Sequence, residues 1–434
     1  RNRISYGGYA VGKIRHRLVG KVMEYGCIGE KLTHSFSKEI HNLLFDYDYK
    51  IQEIEKDKLA DFLTAKDFKA INVTIPYKQA VIPFLDEISD TARNIGAVNT
   101  IVNRDGKLYG YNTDFAGMTD LIKTNEIEIS GKNVLVLGSG GTSKTAVAVA
   151  KSLGAKSVVR VSRTAKEDCI TYQTAYNDCQ NTEVIINTTP CGMYPNIVGE
   201  PIKLELLPKT EAVVDAIYNP LCSNFVIRAK NAGLKATGGL YMLVAQAAFA
   251  AELFVGQEVK KERIYDVYKK IVSKKRNIVL TGMPSSGKST VGKQLAQTLN
   301  MRFIDTDNEI EKVSGKKISE IFENLGEDAF RDIESKVVED VSAKQNCVIA
   351  TGGGAILRDR NIMLLKGNGT VYFIDRPLEK LITTDDRPLS SNRDDLVKRY
   401  NERYNIYCKT ADKKLQNDGE LQTVIDSIKE DFLK

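Results

Sequence analysis

The chain has 434 residues, 42% of them hydrophobic and 27% charged, with a formal net charge of +6. That length exceeds one ordinary core and predicts several domains; the small charge gives no ground for a nucleic-acid partner, and no apolar run reaches the ~18–20 residues of a membrane span. Only His16, His34 and His41 carry imidazole, which excludes a Ser-His-Asp triad or an HExxH zinc site in the main body and leaves its chemistry to lysine, arginine, aspartate and bound phosphates.

Residues 1–22 contain Arg1, Arg3, Lys13, Arg15, Arg17 and Lys21 and no acidic residue. They read as an upstream extension or fragment boundary ahead of Met23 rather than a presequence, and no function is assigned to them. Seven cysteines without a CxxC pair read as reduced thiols of a cytoplasmic protein.

From Met23 the pattern predicts a strand at Tyr25 to Ile28, a helix from Ser37 to Phe45, and strands at Ile71–Ile75 and Thr100–Val102. A second βα series runs through Asn133–Leu137, Ser157–Val161, Val184–Ile186 and Ala212–Ile217, followed by a packed apolar helix at Leu240 to Val255. Residues 257–276 read as a terminal helix and linker, and a third α/β series starts at Asn277–Leu280. Strands alternating with helical segments predict parallel sheets covered on both faces.

Within the first series, Asn72-Val73-Thr74-Ile75-Pro76-Tyr77-Lys78 leaves Lys78 on a loop after a strand, and Asn112-Thr113-Asp114 offers a carboxylate to hold it. With the usual histidine absent, such a lysine is the next plausible proton donor near a reacting alcohol, and the spacing alone equally admits a lone surface lysine. The second series opens with Val134–Leu137, then Gly138-Ser139-Gly140-Gly141-Thr142-Ser143, then a helical stretch, which is the order of a dinucleotide site. Ser143 stands where a third glycine is usual. About 20 residues on, where an acid would bind the ribose of NAD, the chain reads Ser162-Arg163-Thr164-Ala165-Lys166, and basic residues there favour the 2′-phosphate of NADPH.

The third series contains Gly282-x4-Gly287-Lys288-Ser289 between an apolar strand and a helical stretch, a complete phosphate-binding loop. Its backbone N–H groups would surround the β-phosphate, with Lys288 on the β/γ charge and Ser289 on Mg²⁺. Asp305 and Asp307 are expected at the end of a strand, facing one side, one for Mg²⁺ and the other for an acceptor hydroxyl. Further on, Phe330-Arg331, Gly352-Gly353-Gly354, Asp386-Arg387-Pro388-Leu389 and Arg403 suit a small carboxylated acceptor, since guanidinium binds carboxylate bidentately.

IGEKLTHSFSKEIHN, NVTIPYK, GAVNT, GYNTDFAG, NTTPCGM, DAIYNPL and GGLYMLVAQAA, in this order over residues 23 to about 256, resemble shikimate dehydrogenase. That resemblance implies an α/β substrate-binding domain (23–121, completed by helix 238–256) and a Rossmann NADP-binding domain (122–237). It implies Ser35 and Ser37 on the substrate carboxylate with Tyr218 nearby, and Asn72, Thr74, Asn99 and Gln246 on the ring hydroxyls. Lys78 and Asp114 become the catalytic pair. Gly138, Gly140, Gly141, Ser143, Ser162, Arg163, Lys166, Thr188, Met193 and Gly239 would line the cofactor. Lys31 and Lys38 depart from frequent prolines, and Ser162 from a frequent asparagine.

DTD, GEDAFR, TGGGA, RPL and a late arginine, over residues 277–434, resemble shikimate kinase, a P-loop domain with a parallel sheet. This implies ATP on Gly282, Ser285, Ser286, Gly287, Lys288, Ser289 and Thr290, with Mg²⁺ held by Ser289 and Asp305. Asp307 would deprotonate the shikimate 3-hydroxyl, Arg331 and Arg403 would bind its carboxylate, Gly352, Gly353 and Gly354 would lie along the ring, and Arg387 would come from a closing lid. Ser285 departs from a frequent glycine, and the stretch from Asp375 to Arg387 is short. Two motif sets thus converge on one metabolite, the product of one half being the substrate of the other. The alternatives are a fusion to another small-molecule kinase, against which Arg331, Arg403 and the triple glycine argue, action on quinate, and a ligand-sensing regulator. The last predicts loss of Lys78, Asp114, Lys288 or Asp307, and all four are present.

Overall fold

The computed structural model describes residues 23–32, 36–166, 168–382 and 393–433; Ser35, Arg387 and the basic segment 1–22 lie outside the described residues. Three sheets follow one another along the chain. The first unit comprises β1 (Tyr25–Gly29), α1 (Ser37–Leu44), β2 (Tyr49–Glu53), α2 (Leu59–Ala65), β3 (Ala70–Val73), β4 (Glu87–Ile88), α3 (Asp90–Ile95), β5 (Thr100–Arg104), β6 (Lys107–Tyr111) and α4 (Thr113–Thr124). The strand order is β2-β1-β3-β5-β6-β4.

This sheet corrects the expectation of parallel strands throughout. β1 is parallel to β2 and β3, but β5 is antiparallel to both β3 and β6. The cause is local: Asp105 and Gly106 both have positive φ, 52° and 82°, and form the two-residue turn whose twist suits a hairpin.

The second unit holds β7 (Asn133–Leu137), α5 (Gly141–Ser152), β8 (Ser157–Ser162), β9 (Ile170–Thr171), α6 (Tyr172–Asp178), β10 (Val184–Asn187), β11 (Ala212–Asp215), α7 (Asn224–Asn231) and β12 (Lys235–Thr237). Its order β12-β11-β10-β7-β8-β9 is parallel throughout. β7 and β10 pair at the point where the winding reverses, so the loops after them open the crevice in which α/β sheets take ligands. α8 (Leu240–Val255) is apolar nearly all round, with ten buried residues, as a helix enclosed by protein must be. α9 (Lys261–Lys275) is more than a connector. It buries Ile264, Val267 and Ile271, and Lys274 and Lys275 pair with Glu39 of α1 at 3.0 and 3.3 Å.

The third unit runs β13 (Asn277–Thr281), α10 (Lys288–Leu299), β14 (Arg302–Asp305), α11 (Thr306–Ser314), α12 (Ile318–Ser342, broken at Gly326), β15 (Cys347–Ala350), α13 (Asp359–Asn368), β16 (Gly369–Asp375), α14 (Arg393–Thr410), β17 (Lys413–Gln416) and α15 (Leu421–Leu433). Its sheet, β14-β15-β13-β16-β17, is parallel. The carboxyl ends of β13, β14 and β15 bring Gly282, Asp305 and Gly352 to one edge. Among the described residues no helix is long and apolar enough to cross a membrane, and all seven cysteines are free thiols.

Candidate active sites

Lys78 and Asp114 meet because two backbone devices aim them at each other. The Lys78 carbonyl accepts from Val98 N at 2.8 Å, which fixes the loop after β3 against the strand that follows. Asn112 caps α4, its side chain accepting from Phe115 N at 3.1 Å and donating to Ala97 O at 3.0 Å, as asparagine does at helix starts. Asp114 therefore sits in the first turn of α4, and its carboxylate accepts from Lys78 Nζ at 2.6 Å. Both side chains are largely enclosed, 15% and 10% exposed, so the contact is shielded enough to hold its geometry.

A polar network continues from this pair. Asn99 donates to Thr113 Oγ1 at 3.0 Å and to Gln246 Oε1 at 3.4 Å, which joins α8 to the end of the first sheet. Gly117 makes that joint possible, since a Cβ there would come within 2.9 Å of Gln246 N. Asn72, buried, donates to Thr100 Oγ1 at 3.1 Å and accepts from the Tyr49 hydroxyl at 2.7 Å. Thr74 lies against Gly29, where a Cβ would meet its methyl at 2.8 Å. The Tyr218 ring packs edge-on to Phe36 at 5.5 Å, immediately before Ser37, which opens α1.

The glycine-rich turn faces the same space. Gly138 has φ 122°, and a side chain there would strike Thr188 Oγ1 at 2.5 Å, so only glycine lets the loops after β7 and β10 approach. A Cβ at Gly140 would meet nothing within 4 Å, and one at Gly141 would lie 3.8 Å from Lys78 Cδ. The open backbone is a cradle for a phosphate, with α5 starting behind it, and it stands beside the lysine. Ser143, fully buried, donates to Gly140 O at 2.7 Å and accepts from Arg160 at 3.1 Å; the serine thus pins the turn where the usual glycine would leave it free.

At the end of β8, Ser162 turns inward to Thr164 O, while Arg163 and Lys166 are exposed, and Lys166 reaches Ser139 at 3.3 Å. These cations fit a nucleotide bearing a 2′-phosphate. Met193 is 43% exposed on the loop opposite the turn. Gly239 stands at the start of α8, its N donating to Ile217 O at 2.8 Å.

In the third unit, Gly282 and Gly287 have φ of 149° and 95°, and Lys288 folds back onto the carbonyls of Gly282 and Met283 at 2.9 Å each. Ser285 takes φ 64° and donates to Ile382 O at 2.7 Å, so the serine adopts the left-handed conformation that glycine would hold more cheaply. Ser286 is fully buried, and its hydroxyl has no hydrogen-bond partner among the described residues. Thr290 is exposed in the first turn of α10. Ser289 donates to Asp305 Oδ2 at 2.7 Å. One hydroxyl and one carboxylate at that spacing fit a Mg²⁺ that keeps most of its waters.

The expected arrangement of Asp305 and Asp307 needs correction. β14 ends at Asp305, whose side chain caps α11 by accepting from Asp307 N at 3.1 Å; the two acids are a cap and a first-turn residue, not neighbours on one strand face. Asp307 Oδ1 lies 2.5 Å from where a Cβ on Gly352 would be, and Arg331 Nη1 lies 2.2 Å from that position on Gly354. Here the absent side chains leave room for the acid and the guanidinium. Arg403 donates to Gly353 O at 3.2 Å.

Several residues with a part in these sites escaped the sequence reading. Glu334 is 1% exposed, bonds Arg331 at 2.8 Å, and keeps Oε1 without a hydrogen-bond partner among the described residues; burial raises its carboxyl. Its position three after Arg331 on a helix was the available signal. The Tyr407 hydroxyl lies between the carbonyls of Gly282 and Gly353, at 2.9 and 2.5 Å, and Asn417 donates to Ser286 O at 2.7 Å. Neither had a sequence signal.

Comparison with known proteins follows the same division of the chain. Residues 27–101 match the family model of the shikimate dehydrogenase substrate binding domain, and residues 284–432 that of shikimate kinase. The NADP(+) shikimate dehydrogenase of Clostridium beijerinckii is 42% identical over 246 residues, which is 53% of this chain and 91% of that protein. That of Clostridium perfringens (strain ATCC 13124) is 39% identical over 264 residues, 57% of this chain and 97% of the relative. Among solved structures, a chorismate mutase/shikimate 5-dehydrogenase fusion protein from Clostridium acetobutylicum aligns with TM-score 0.55 at 35% identity, covering 58% of this chain and 97% of the other. Shikimate 5-dehydrogenase of Thermus thermophilus, in complex with NADP(H) and shikimate, aligns with TM-score 0.52 at 28% identity, covering 57% and 99%.

Proposed function

The chain belongs to the shikimate dehydrogenase family and carries a shikimate kinase domain after it, and from this we propose that it reduces 3-dehydroshikimate to shikimate and then phosphorylates the 3-hydroxyl of that product. The observation that carries the first step is the enclosed 2.6 Å contact of Lys78 with Asp114 beside the glycine-rich turn. NADPH supplies the hydride, and MgATP the phosphoryl group. Lys78 holds a proton at Nζ and delivers it to the oxygen that becomes the new alcohol; Asp114 aims the ammonium and stabilises its charge. Asn72, Asn99 and Gln246 present amide groups to the ring hydroxyls. Ser37, with Ser35, receives the carboxylate. Arg163 and Lys166 favour the 2′-phosphate form of the cofactor.

For the second step, Asp307 accepts the 3-hydroxyl proton while Arg331 and Arg403 hold the carboxylate, so the acceptor is positioned and its charge balanced before transfer. Lys288 releases two backbone carbonyls to meet phosphate oxygens. Ser289 and Asp305 hold Mg²⁺. Seven free thiols support a reducing, cytoplasmic setting. The test is a mass-spectrometric product assay of the full chain with 3-dehydroshikimate, NADPH and MgATP. Shikimate 3-phosphate is expected, with Lys78→Ala stopping reduction and Lys288→Ala stopping phosphorylation. Shikimate that accumulates unphosphorylated would leave only the dehydrogenase.

A further inference from the structure

The loop after β11, residues 216–223, is held from three sides. Asp215, fully buried, takes both of its ends: it accepts from Ile217 N at 3.0 Å and from the Ser223 hydroxyl. Gly239, at the start of α8, presses on the loop from the dehydrogenase side, since a Cβ there would meet Ala216 O at 2.2 Å. The third side is the kinase unit. Cys222 N donates to Gly367 O at 2.8 Å, and Leu221 N donates to Asn368 Oδ1 at 3.0 Å.

Asn368 is built for this contact. It ends α13 and is 6% exposed, and its amide nitrogen donates to Ser342 O at 3.1 Å. One end of the amide is therefore fixed to the kinase helix α12, and the other receives the dehydrogenase loop. Gly367 permits the fit, a Cβ there standing 3.3 Å from Pro220 Cβ. Ile197, on the segment after the cofactor-side loop, is buried within the kinase core with Leu364 and Leu365. Tyr194 N donates to Asn219 O at 3.0 Å, which ties the cofactor-side loop to the same seam.

Tyr218 sits in this loop, between the Asp215 anchor and the kinase contacts. We propose that Asn368, a residue of the kinase unit, is a positioning residue of the dehydrogenase: through Leu221 it fixes the loop that sets Tyr218 against Phe36 at the carboxylate end of the shikimate site. The first active site is then completed by the second domain, and the fusion has a structural role beyond proximity. This rests on the dehydrogenase function proposed above.

The test uses the full chain and two variants, Asn368→Ala and Gly367→Val, neither in the kinase machinery. Asn368→Ala is expected to raise the dehydrogenase KM for 3-dehydroshikimate by about fivefold, the worth of one hydrogen bond, and Gly367→Val, which crowds Pro220, to raise it as well, with kinase kcat and KM unchanged. Amide hydrogen exchange of residues 217–222 should accelerate while that of 212–215 does not, which separates loss of the seam from general unfolding. An unchanged dehydrogenase KM for 3-dehydroshikimate in both variants, or exchange that stays slow across 217–222, overturns the proposal. A parent chain with no dehydrogenase turnover overturns the function on which it rests; the exchange measurement, which needs no turnover, still tells the two failures apart.

Discussion

The Lys78 ammonium is held 2.6 Å from the Asp114 carboxylate, and the same lysine chain runs 3.8 Å from where a side chain on Gly141 would begin. The proposed proton donor and the glycine-rich turn are thus adjacent. Removing the donor by Lys78→Ala should lower dehydrogenase kcat by about a hundredfold or more, the usual scale of general acid–base catalysis. Asp114→Asn should lower it less, because the amine stays. Kinase turnover in the same preparations should not change. Steady-state rates for both activities check this, and a Lys78→Ala variant with near-parental kcat would remove lysine from the mechanism.

The proposed cofactor choice rests on two exposed cations, Arg163 and Lys166, just past the end of β8. Arg163→Ala deletes a charged donor to the 2′-phosphate, so KM for NADPH should rise about tenfold. KM for NADH should hardly move, since that cofactor lacks the phosphate. Parallel titrations with the two nucleotides make the comparison, and equal effects on both would show that Arg163 reads something else.

In the kinase unit, Gly354 leaves free the space that the Arg331 guanidinium fills: a Cβ there would stand 2.2 Å from Nη1. Gly354→Ala should push the guanidinium off the acceptor carboxylate. A lost charged contact raises KM for shikimate by about thirtyfold, with the dehydrogenase unaffected. Kinase KM measured at saturating ATP decides it; an unchanged value would mean that Arg331 relaxes without cost.

The strand–glycine–helix passages at 133–152 and 277–299 were legible because their information is local: an apolar run, glycines where φ is positive, then a helical period. The Asp105-Gly106 hairpin is equally local, a two-residue turn between short strands, and the antiparallel placement of β5 follows from it rather than from the strand–helix alternation. Asp305 and Asp307 fit a strand period, but Asp305 is also a good helix cap, and the cap is the arrangement the fold adopts. Glu334 was hidden by being one more acid in a charged helix. The Tyr49–Asn72 and Asn368–Leu221 bonds, spanning 23 and 147 residues, belong to another class: nothing in either neighbourhood announces the partner, and only the folded chain brings them together.

Tyr49 is fully buried, stacked on His41 at 3.9 Å, and its hydroxyl donates to Asn72 Oδ1 at 2.7 Å. That bond and the one to Thr100 together set which way the Asn72 amide faces. Tyr49→Phe keeps the packing and removes the donor, so it should cost about 1–2 kcal/mol of stability. Because Asn72 would then turn more freely, the dehydrogenase KM for 3-dehydroshikimate should rise several-fold while kcat changes little. Urea unfolding and steady-state kinetics test both parts. A stability loss with unaltered KM would make Tyr49 purely structural.

Asp215 should give the fold a readable pH dependence. Burial pushes its carboxyl up from 3.8 to about 6, against the opposing hydrogen bonds from Ser223, Ile217 and Asn187. The folded chain therefore holds this proton more tightly than the unfolded chain, so the contribution to stability is complete below the unfolded value and is lost as pH rises through about 6. A shift of that size corresponds to roughly 3 kcal/mol. Asp215→Asn cannot ionise and escapes the loss. Relative to the parent, the variant should gain stability between about pH 4 and pH 7, with the difference levelling off above that range. Denaturant midpoints of both proteins across this interval supply the measurement, and the difference between them cancels groups common to both, such as buried His41. A difference that does not vary with pH would mean that Asp215 is ionised throughout, stabilised by its three donors.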